Sequence, residues 1–194
     1  MRMNRTMLVA AGALWIIASV AGVAALWEYA HRPGASGEPP SRWPASVSRD
    51  LLAADRHTLC VFFHSECPCS QATVNELERV AARAPGRFSA RVYIHDAAGM
   101  QRPAAEGRLW KAASRIPGAQ VLADHDGTLA RTFGAETSGV ALLYDRAGQL
   151  LFHGGITGAR GHEGGNANED ALLACLREAP SAPTKTHAYG CSIF

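Results

Sequence analysis

The sequence has little net charge and no concentration of basic residues. Across 194 residues, 19 Lys and Arg nearly balance 17 Asp and Glu, which gives a formal net charge of +2. No cluster of Lys and Arg forms a stripe along which a nucleic-acid backbone could bind. The composition therefore argues against nucleic acid as a partner.

Sequence motifs for metal and nucleotide sites are also missing. The eight His residues are scattered, with no His-x-x-His or His-x-x-x-His pair. The glycine-rich stretch HGGITGARGHEGGN at 153–166 has no Gly-Lys-Ser/Thr and so fails the phosphate-loop pattern. We interpret it as a connection to the last helix, with Arg160, His162 and Glu163 as further candidate site residues. DHDG at 124–127 starts like a Ca²⁺ loop, but the twelfth position is an alanine, so it predicts a turn. We expect no cofactor and no metal.

One long apolar run lies near the N terminus. Residues 7–27, MLVAAGALWIIASVAGVAALW, contain no charged residue, and about 20 apolar residues suffice to cross a bilayer as a helix. Arginines precede the run and amphipathic aromatic residues follow it, which predicts an N terminus in the cytoplasm. We predict a single-pass anchor over 1–27 in the cytoplasmic membrane, with the rest in the periplasm or outside the cell. A cleaved export signal, cut near 23–25, is the alternative.

The composition changes after this run. Residues 28–46, EYAHRPGASGEPPSRWPAS, are dense in Pro, Gly and Ser and predict a flexible tether. We place the folded domain at 47–179 and a C-terminal tail at 180–194. No internal repeat is present.

A β-α-β pattern organises the domain. A short helix is predicted over 47–54, and TLCVFF at 58–63 is apolar without alternation, as in a strand buried on both faces. Ser70 is a candidate N-cap for a helix over 70–84. The remaining predicted elements are strands at 87–94 and 119–123, helices at 108–114 and 128–133, a hairpin of 140–144 with 149–152, and a helix at 168–178. This order predicts an α/β domain with a central mixed sheet flanked by helices.

Two cysteines lie between the buried strand and the next helix, in Cys67-Pro68-Cys69. Backbone N–H groups at a helix start stabilise a thiolate and lower its pKa. Cα atoms two residues apart lie roughly 5.5 to 7 Å apart, inside or at the edge of the disulfide range, and an exported location permits the oxidised state. We predict Cys67 as an exposed nucleophile and Cys69 as the resolving thiol, with His64 and Glu66 as candidate bases, proton relays or pKa tuners. A metal clip and an inert turn remain as alternatives.

The other three cysteines divide into two kinds. Cys60, in the buried strand, and Cys175, on an apolar helix face, are interpreted as small core residues. Cys191 lies in the tail, where it leaves an odd thiol in an exported protein. We hypothesise that Cys191 contacts the redox loop.

The order of elements over 47–178 resembles the thioredoxin fold. Within it, FFHSECPCS at 62–70, TSGVALLYDRAGQLLFHGGITGARGHEGGN at 137–166 and YGCSIF at 189–194 resemble the membrane-tethered, thioredoxin-like proteins of the RedB type. The resemblance implies an exported protein with a redox-active centre that exchanges disulfides with a protein partner.

Two positions depart from the thioredoxin pattern. The loop is Cys-x-Cys, so that when Pro68 and Cys69 are matched to the family's Pro-Cys, Glu66 occupies the first cysteine position. Where thioredoxins carry a cis-proline that faces the active cysteines, Gly139 is the nearest match. The supporting candidates are accordingly His64, Glu66, Pro68, Gly139 and Cys191.

Three functions remain open at this point. The leading one is an anchored thiol–disulfide oxidoreductase that uses Cys67 and Cys69. A copper carrier that uses the same thiols and a His is the second, since soft thiolates select Cu(I). A non-catalytic adaptor with the same fold is the third. The sequence does not assign the direction of exchange.

Overall fold

The computed structural model describes residues 4–96 and 104–194, and the chain divides into two compact units, Met1–Arg32 and Pro33–Phe194. The described part of the first unit is the helix α1 (Arg5–His31), capped by the Asn4 side chain, which accepts a hydrogen bond from the Thr6 N–H. None of its residues is buried. Within the described residues, α1 is the one helix long and apolar enough to cross a membrane, a property that export signals share.

The second unit is built on a five-stranded sheet in the order β3-β2-β1-β4-β5. The strands β1, β2 and β3 are parallel neighbours, whereas β4 pairs antiparallel with β1 and β5. The strands are β1 (His57–His64), β2 (Phe88–Asp96), β3 (Ala119–His125), β4 (Val140–Tyr144) and β5 (Leu150–Gly155), and the helices are α2 (Ser70–Arg83), α3 (Arg108–Ala113), α4 (Thr128–Thr132) and α5 (Ala167–Leu176). The predicted mixed sheet flanked by helices is confirmed.

Strand β1 is buried on both faces, as its unbroken apolar run predicts. Leu59, Val61 and Phe63 belong to a core cluster that includes residues of α2, α3 and α5. Cys60 and Phe62 belong to a second cluster on the opposite face, which is rich in aromatic side chains. A strand sandwiched in this way holds the loop at its carboxyl end in a fixed position.

The N-terminal segment 33–46 lies along the second unit, whereas a flexible tether was expected over 28–46. Trp43 is 7% exposed, and its ring packs edge-on against Phe133 and Tyr144 with centroids 5.2 and 5.4 Å apart. The physical reason is that α4, with five residues, covers only part of the aromatic face. Trp43 covers part of the aromatic face that α4 leaves open and so removes apolar surface from water.

Strand β5 is paired along its outer edge by the 33–46 segment and by the C-terminal tail. The Leu150 N–H donates to the Ser41 carbonyl at 2.9 Å. The His153 N–H donates to the Thr184 carbonyl at 2.9 Å, and the Thr186 N–H donates back to the His153 carbonyl at 3.1 Å. The C-terminal tail is therefore joined to the sheet.

The predicted helix over 47–54 is wrong. The structure has a single 3₁₀ turn, Arg49–Leu51, with extended residues on either side. This conformation lets Val47 and Leu52 both pack into the aromatic cluster, which a regular helix of that length would not do.

The predicted N-cap of α2 is also displaced by one residue. The N-cap is Cys69, in a helical conformation with φ −72° and ψ −19°, and it makes no side-chain cap bond. The Ser70 hydroxyl instead lies 2.8 Å from the Ser138 hydroxyl. The other predicted strands and helices are confirmed, with ends that differ by a few residues.

Candidate functional site

The Cys-Pro-Cys loop forms a tight turn between β1 and α2. The Cys67 N–H donates to the His64 carbonyl at 3.2 Å, and the Ser70 N–H donates to the Cys67 carbonyl at 3.1 Å. The turn places both cysteines at the N terminus of α2, where N–H groups point out of the helix. This is the arrangement that the strand and helix patterns predict.

Cys67 is buried, whereas an exposed nucleophile was expected. Its exposed fraction is 6%, while Cys69 is half-buried and Pro68 is exposed. Cys67 is covered by the C-terminal tail, because its Sγ lies 3.1 Å from the Sγ of Cys191. All five cysteines are free thiols. The cysteine loop and the C-terminal tail are thus in contact through the sulfur atoms of Cys67 and Cys191.

The pKa of Cys67 reflects a balance of burial and hydrogen bonds. Burial raises the pKa, but the Cys191 backbone N–H and thiol oppose it as donors. The Ser70 hydroxyl and the Cys69 backbone N–H donate as well. Together they bring the pKa of Cys67 from 9.0 to about 7. A substantial fraction of Cys67 is therefore thiolate near neutral pH.

The two neighbouring thiols have the opposite shift. Burial raises the pKa of Cys69, and the negative charge of the Cys67 thiolate raises it further. Burial and the hydrogen bond to Cys67 raise the pKa of Cys191 to about 11. The Arg160 guanidinium lowers the pKa of both thiols in part. Near neutral pH, Cys69 and Cys191 are therefore protonated, whereas Cys67 is partly ionised.

Ser138 connects the cysteine loop to the tail. Its hydroxyl lies 2.8 Å from the Ser70 hydroxyl and accepts a hydrogen bond from the His64 N–H at 2.8 Å. Its backbone N–H donates to the Cys191 carbonyl at 2.8 Å. Ser138 therefore holds the loop and the tail in one hydrogen-bonded frame.

Gly139 allows the segment before β4 to approach α2 closely. Its φ is +92°, a conformation that favours glycine, and its N–H donates to the Phe62 carbonyl at 2.7 Å. A Cβ at this position would lie 2.8 Å from the Thr73 hydroxyl oxygen. The described peptide bonds are all trans. Because Gly139 has no side chain, the backbone of the segment before β4 can lie directly against α2.

The two acid–base candidates lie at the edge of the loop. The Nδ1 of His64 accepts a hydrogen bond from the Glu66 N–H at 3.2 Å. Burial lowers the pKa of His64, and His95 lowers it further while Glu66 opposes this. The Glu66 side chain is exposed. His64 stabilises the turn in the structure, and its role in proton transfer stays a prediction.

The remaining cysteines lie outside the site. Cys60 is fully buried, and burial raises its pKa to about 12. Cys175 is 6% exposed, and burial raises its pKa too. Both lie in hydrophobic clusters, as core thiols do. Among residues 4–96 and 104–194, no group of three or more His, Cys, Asp and Glu side chains is arranged to hold a metal ion.

A cleft of about 320 Å³ opens on one side of Cys67. It is lined by the cysteine loop, the first turns of α2 and the start of α3, through Ser65, Glu66, Cys67, Pro68, Gln71, Arg108 and Leu109. The cleft gives a second group a route to Cys67 that does not pass through the tail.

Three residues of the site were not assigned their roles from the sequence. Ser70 was expected to cap the helix and instead donates to a sulfur. Ser138 gave no signal beyond its place beside Gly139. Arg160 was a further candidate in the glycine-rich loop, and its Nη1 donates to the Gly190 carbonyl in the tail.

Comparison with known proteins identifies the fold. No family model matches the sequence, and no curated protein is significantly similar to it. An uncharacterised conserved protein from Geobacillus kaustophilus has a similar structure, with a TM-score of 0.60 and 19% identity over 84% of this chain and 92% of that chain. A hypothetical protein from Sinorhizobium meliloti 1021 is similar with a TM-score of 0.57 and 20% identity over 84% of this chain and 95% of that one.

A third solved structure is a thioredoxin-like protein in its oxidised form. It is similar with a TM-score of 0.51 and 16% identity, over 77% of this chain and 96% of that chain. Together with the sheet order and the position of the cysteine loop, this similarity defines the class: the chain has a thioredoxin-like fold.

Proposed function

We propose that this chain is an exported, membrane-anchored oxidoreductase that exchanges disulfides with a protein partner. The observation that supports this proposal most strongly is the environment of Cys67. This residue lies at the junction of β1 and α2, its pKa is about 7, and its sulfur contacts the thiol of Cys191. A thiolate is the attacking species in disulfide exchange. The thioredoxin-like fold supports the proposal, because it places this thiolate at the carboxyl end of a buried strand.

The reaction proceeds in two exchanges. The Cys67 thiolate attacks one sulfur of a partner disulfide, so that a mixed disulfide forms and the other partner sulfur leaves as a thiolate and takes up a proton. A second thiol of this chain, once deprotonated, attacks the Cys67 sulfur and releases the first partner sulfur. The chain then carries one disulfide, and the partner disulfide has been reduced to two thiols. The reverse sequence oxidises a dithiol. From its spacing alone, the Cys-Pro-Cys motif predicts Cys69 as the second thiol.

The location and the subfamily are part of the proposal. The apolar helix α1 supports an anchor in the cytoplasmic membrane with the thiol domain in the periplasm or outside the cell. The motifs at 62–70, 137–166 and 189–194 support a RedB-type protein. An exported domain meets an oxidising compartment, where disulfide exchange has substrates.

The test uses the full-length chain in a mild detergent. The protein is equilibrated with a series of reduced to oxidised dithiothreitol ratios, quenched with acid and labelled with a thiol reagent that adds mass. We expect one two-electron transition that is abolished in Cys67→Ser and retained in Cys175→Ser, the matched buried control. If Cys67 stays reduced at every ratio while circular dichroism shows a folded protein, the proposal is wrong and the copper-carrier and adaptor alternatives take precedence.

A further inference from the structure

We propose that Cys191, rather than Cys69, is the thiol that resolves the mixed disulfide on Cys67, so that the oxidised protein carries a Cys67–Cys191 disulfide. This inference rests on the proposed exchange function, to which it adds a catalytic residue. The C-terminal tail is then a part of the active site that the chain itself supplies.

The backbone of the tail is seated on the segment that precedes β4. The Ser138 N–H donates to the Cys191 carbonyl at 2.8 Å, and the Ile193 N–H donates to the Glu136 carbonyl at 2.9 Å. Thr137 and Ser192 form an antiparallel bridge between these bonds. The tail is therefore an added strand segment, and this pairing holds Cys191 opposite Cys67.

Side chains on both sides of Cys191 anchor the tail. Ile193 is 1% exposed and belongs to the aromatic core cluster. The Phe194 ring lies 4.2 Å from the guanidinium carbon of Arg131, in a cation–π contact. On the other side, the Arg160 guanidinium donates to the Gly190 carbonyl. A thiol held by core packing and backbone pairing keeps its position for reaction.

Cys69 lies close to Cys67 as well, but the geometry of the loop favours Cys191 as the resolving thiol. The Ser70 N–H donates to the Cys67 carbonyl, so residues 67–70 form a hydrogen-bonded turn, within which Cys69 has helical dihedral angles. The Cys69 thiol hydrogen-bonds to the Cys67 sulfur, so Cys69 is a competing thiol. A disulfide within the loop would join residues only two apart, at the edge of the Cα separation that a disulfide tolerates. The Cys67 and Cys191 sulfurs lie 3.1 Å apart without that constraint.

The first exchange prepares Cys191 for the second. In the resting site, Cys191 donates to the Cys67 thiolate, and this bond, together with burial, keeps Cys191 protonated. When Cys67 joins a partner sulfur, its negative charge is lost, and this contribution to the high pKa of Cys191 disappears with it. Arg160 remains to stabilise a thiolate on Cys191.

The partner sulfur and the Cys191 sulfur approach Cys67 from different sides. The partner sulfur enters through the cleft lined by the loop, α2 and α3. Cys191 lies on the side of the tail. Once deprotonated, it attacks the Cys67 sulfur and forms the Cys67–Cys191 bond, and the partner sulfur leaves as a thiolate and takes up a proton. Two thiols of this chain are oxidised, and the partner disulfide receives the two electrons.

The test follows glutathione disulfide as the probe on the reduced full-length chain in detergent. Samples are quenched with acid over time and digested with trypsin without reduction. The peptide 57–79 contains Cys60, Cys67 and Cys69, whereas 186–194 contains Cys191 alone, so a crosslink between the two peptides identifies tail pairing. Fragmentation of the crosslinked peptide assigns its cysteine in 57–79.

We expect the Cys67–Cys191 crosslink in the wild type and, within twofold of its rate, in Cys69→Ser. In Cys191→Ser we expect glutathione to accumulate on Cys67 and to be released at least tenfold more slowly than in the wild type. Serine keeps the tail seated, because the pairing uses backbone atoms.

A second variant keeps every thiol and displaces the tail. A Cβ on Gly190 would lie 2.0 Å from the Ser138 carbonyl oxygen, so Gly190→Ala is expected to slow formation of the crosslink at least fivefold. The matched control is Gly165→Ala, where the added Cβ meets an Arg79 nitrogen at 3.6 Å, an ordinary contact. Circular dichroism is used to check that both variants are folded.

Two outcomes separate this inference from the proposed function. A crosslink between Cys67 and Cys69 in the wild type, with release in Cys191→Ser as fast as in the wild type, overturns the role of Cys191 and leaves disulfide exchange intact. If glutathione never reacts at Cys67 in any variant, the proposed function and this inference both fail.

Discussion

The pH dependence of Cys67 alkylation tests the electrostatics of the site most directly. Iodoacetamide reacts with the thiolate, so the rate follows the thiolate fraction. With a pKa of about 7, that fraction rises about tenfold between pH 6 and pH 9, whereas a pKa of 9.0 gives a rise of about 500-fold. Because both rates refer to the same site, limited access to the buried sulfur cancels in the ratio.

The perturbation is Ser70→Ala, which removes one hydroxyl donor to the Cys67 sulfur. A hydrogen bond to a charged group contributes about 1.5–3 kcal/mol. We use about 1.5 kcal/mol, the lower limit, because solvent screens charges in a loop close to the surface. That free energy corresponds to about a tenfold slower reaction at pH 6. The rate at pH 10 is expected to be unchanged, because the Cys67 thiol is ionised there in both proteins.

The assay quantifies alkylation at Cys67 by mass spectrometry after short pulses from pH 5 to pH 10, and fragmentation of the 57–79 peptide separates Cys67 from Cys60 and Cys69. The exposed serine variant Ser46→Ala serves as the control and is expected to follow the wild type. Cys60 provides an internal control in the same peptide, because burial raises its pKa to about 12. A wild-type rate that rises several hundredfold from pH 6 to pH 9 would refute the assignment of a lowered pKa. So would a Ser70→Ala profile that coincides with that of the wild type.

Three further predictions concern stability, each measured by denaturant unfolding. Trp43→Ala is expected to lower the free energy of unfolding by about 3–5 kcal/mol, because a large buried side chain is lost from the aromatic cluster; a loss under about 1 kcal/mol would mean that its segment is loosely attached. Glu169→Gln is expected to lower it by about 1–3 kcal/mol, because the buried carboxylate accepts a hydrogen bond from Arg83 at 3.0 Å; unchanged stability would contradict a structural ion pair. Gly139→Ala is expected to be more destabilising than Gly86→Ala. Both positions have positive φ, but an added Cβ clashes with α2 only at Gly139, so equal losses would contradict the close approach.

The core of the fold could be predicted because its signals are local. The unbroken apolar run of β1 indicated a strand covered on both faces, and the apolar spacing after Cys69 indicated α2. Both elements are confirmed, and together they place the cysteine loop. The position of Cys67 and Cys69 at a helix start follows from these two neighbours alone.

The surroundings of the loop depend on contacts between distant parts of the sequence. Burial of Cys67 results from a tail 124 residues further along the chain, so its sequence neighbours gave no sign of it. Trp43 lies in a segment whose Pro, Gly and Ser content is typical of a linker, and its burial follows from a gap in the cover of one sheet face. Ser70 is a common capping residue, and only the nearby sulfur makes it a thiolate donor.

The pairing of the 33–46 segment and the C-terminal tail with β5 has a consequence for solubility. A sheet edge with free N–H and C=O groups is a template for strand pairing between molecules, and hence for aggregation. In this protein, residues near Ser41 and Thr184 occupy those groups on β5. Proteolytic removal of the C-terminal tail would therefore leave β5 as an unpaired edge strand, in addition to removing the Cys191 thiol. We expect molecules shortened at that end to self-associate even where their core stays folded.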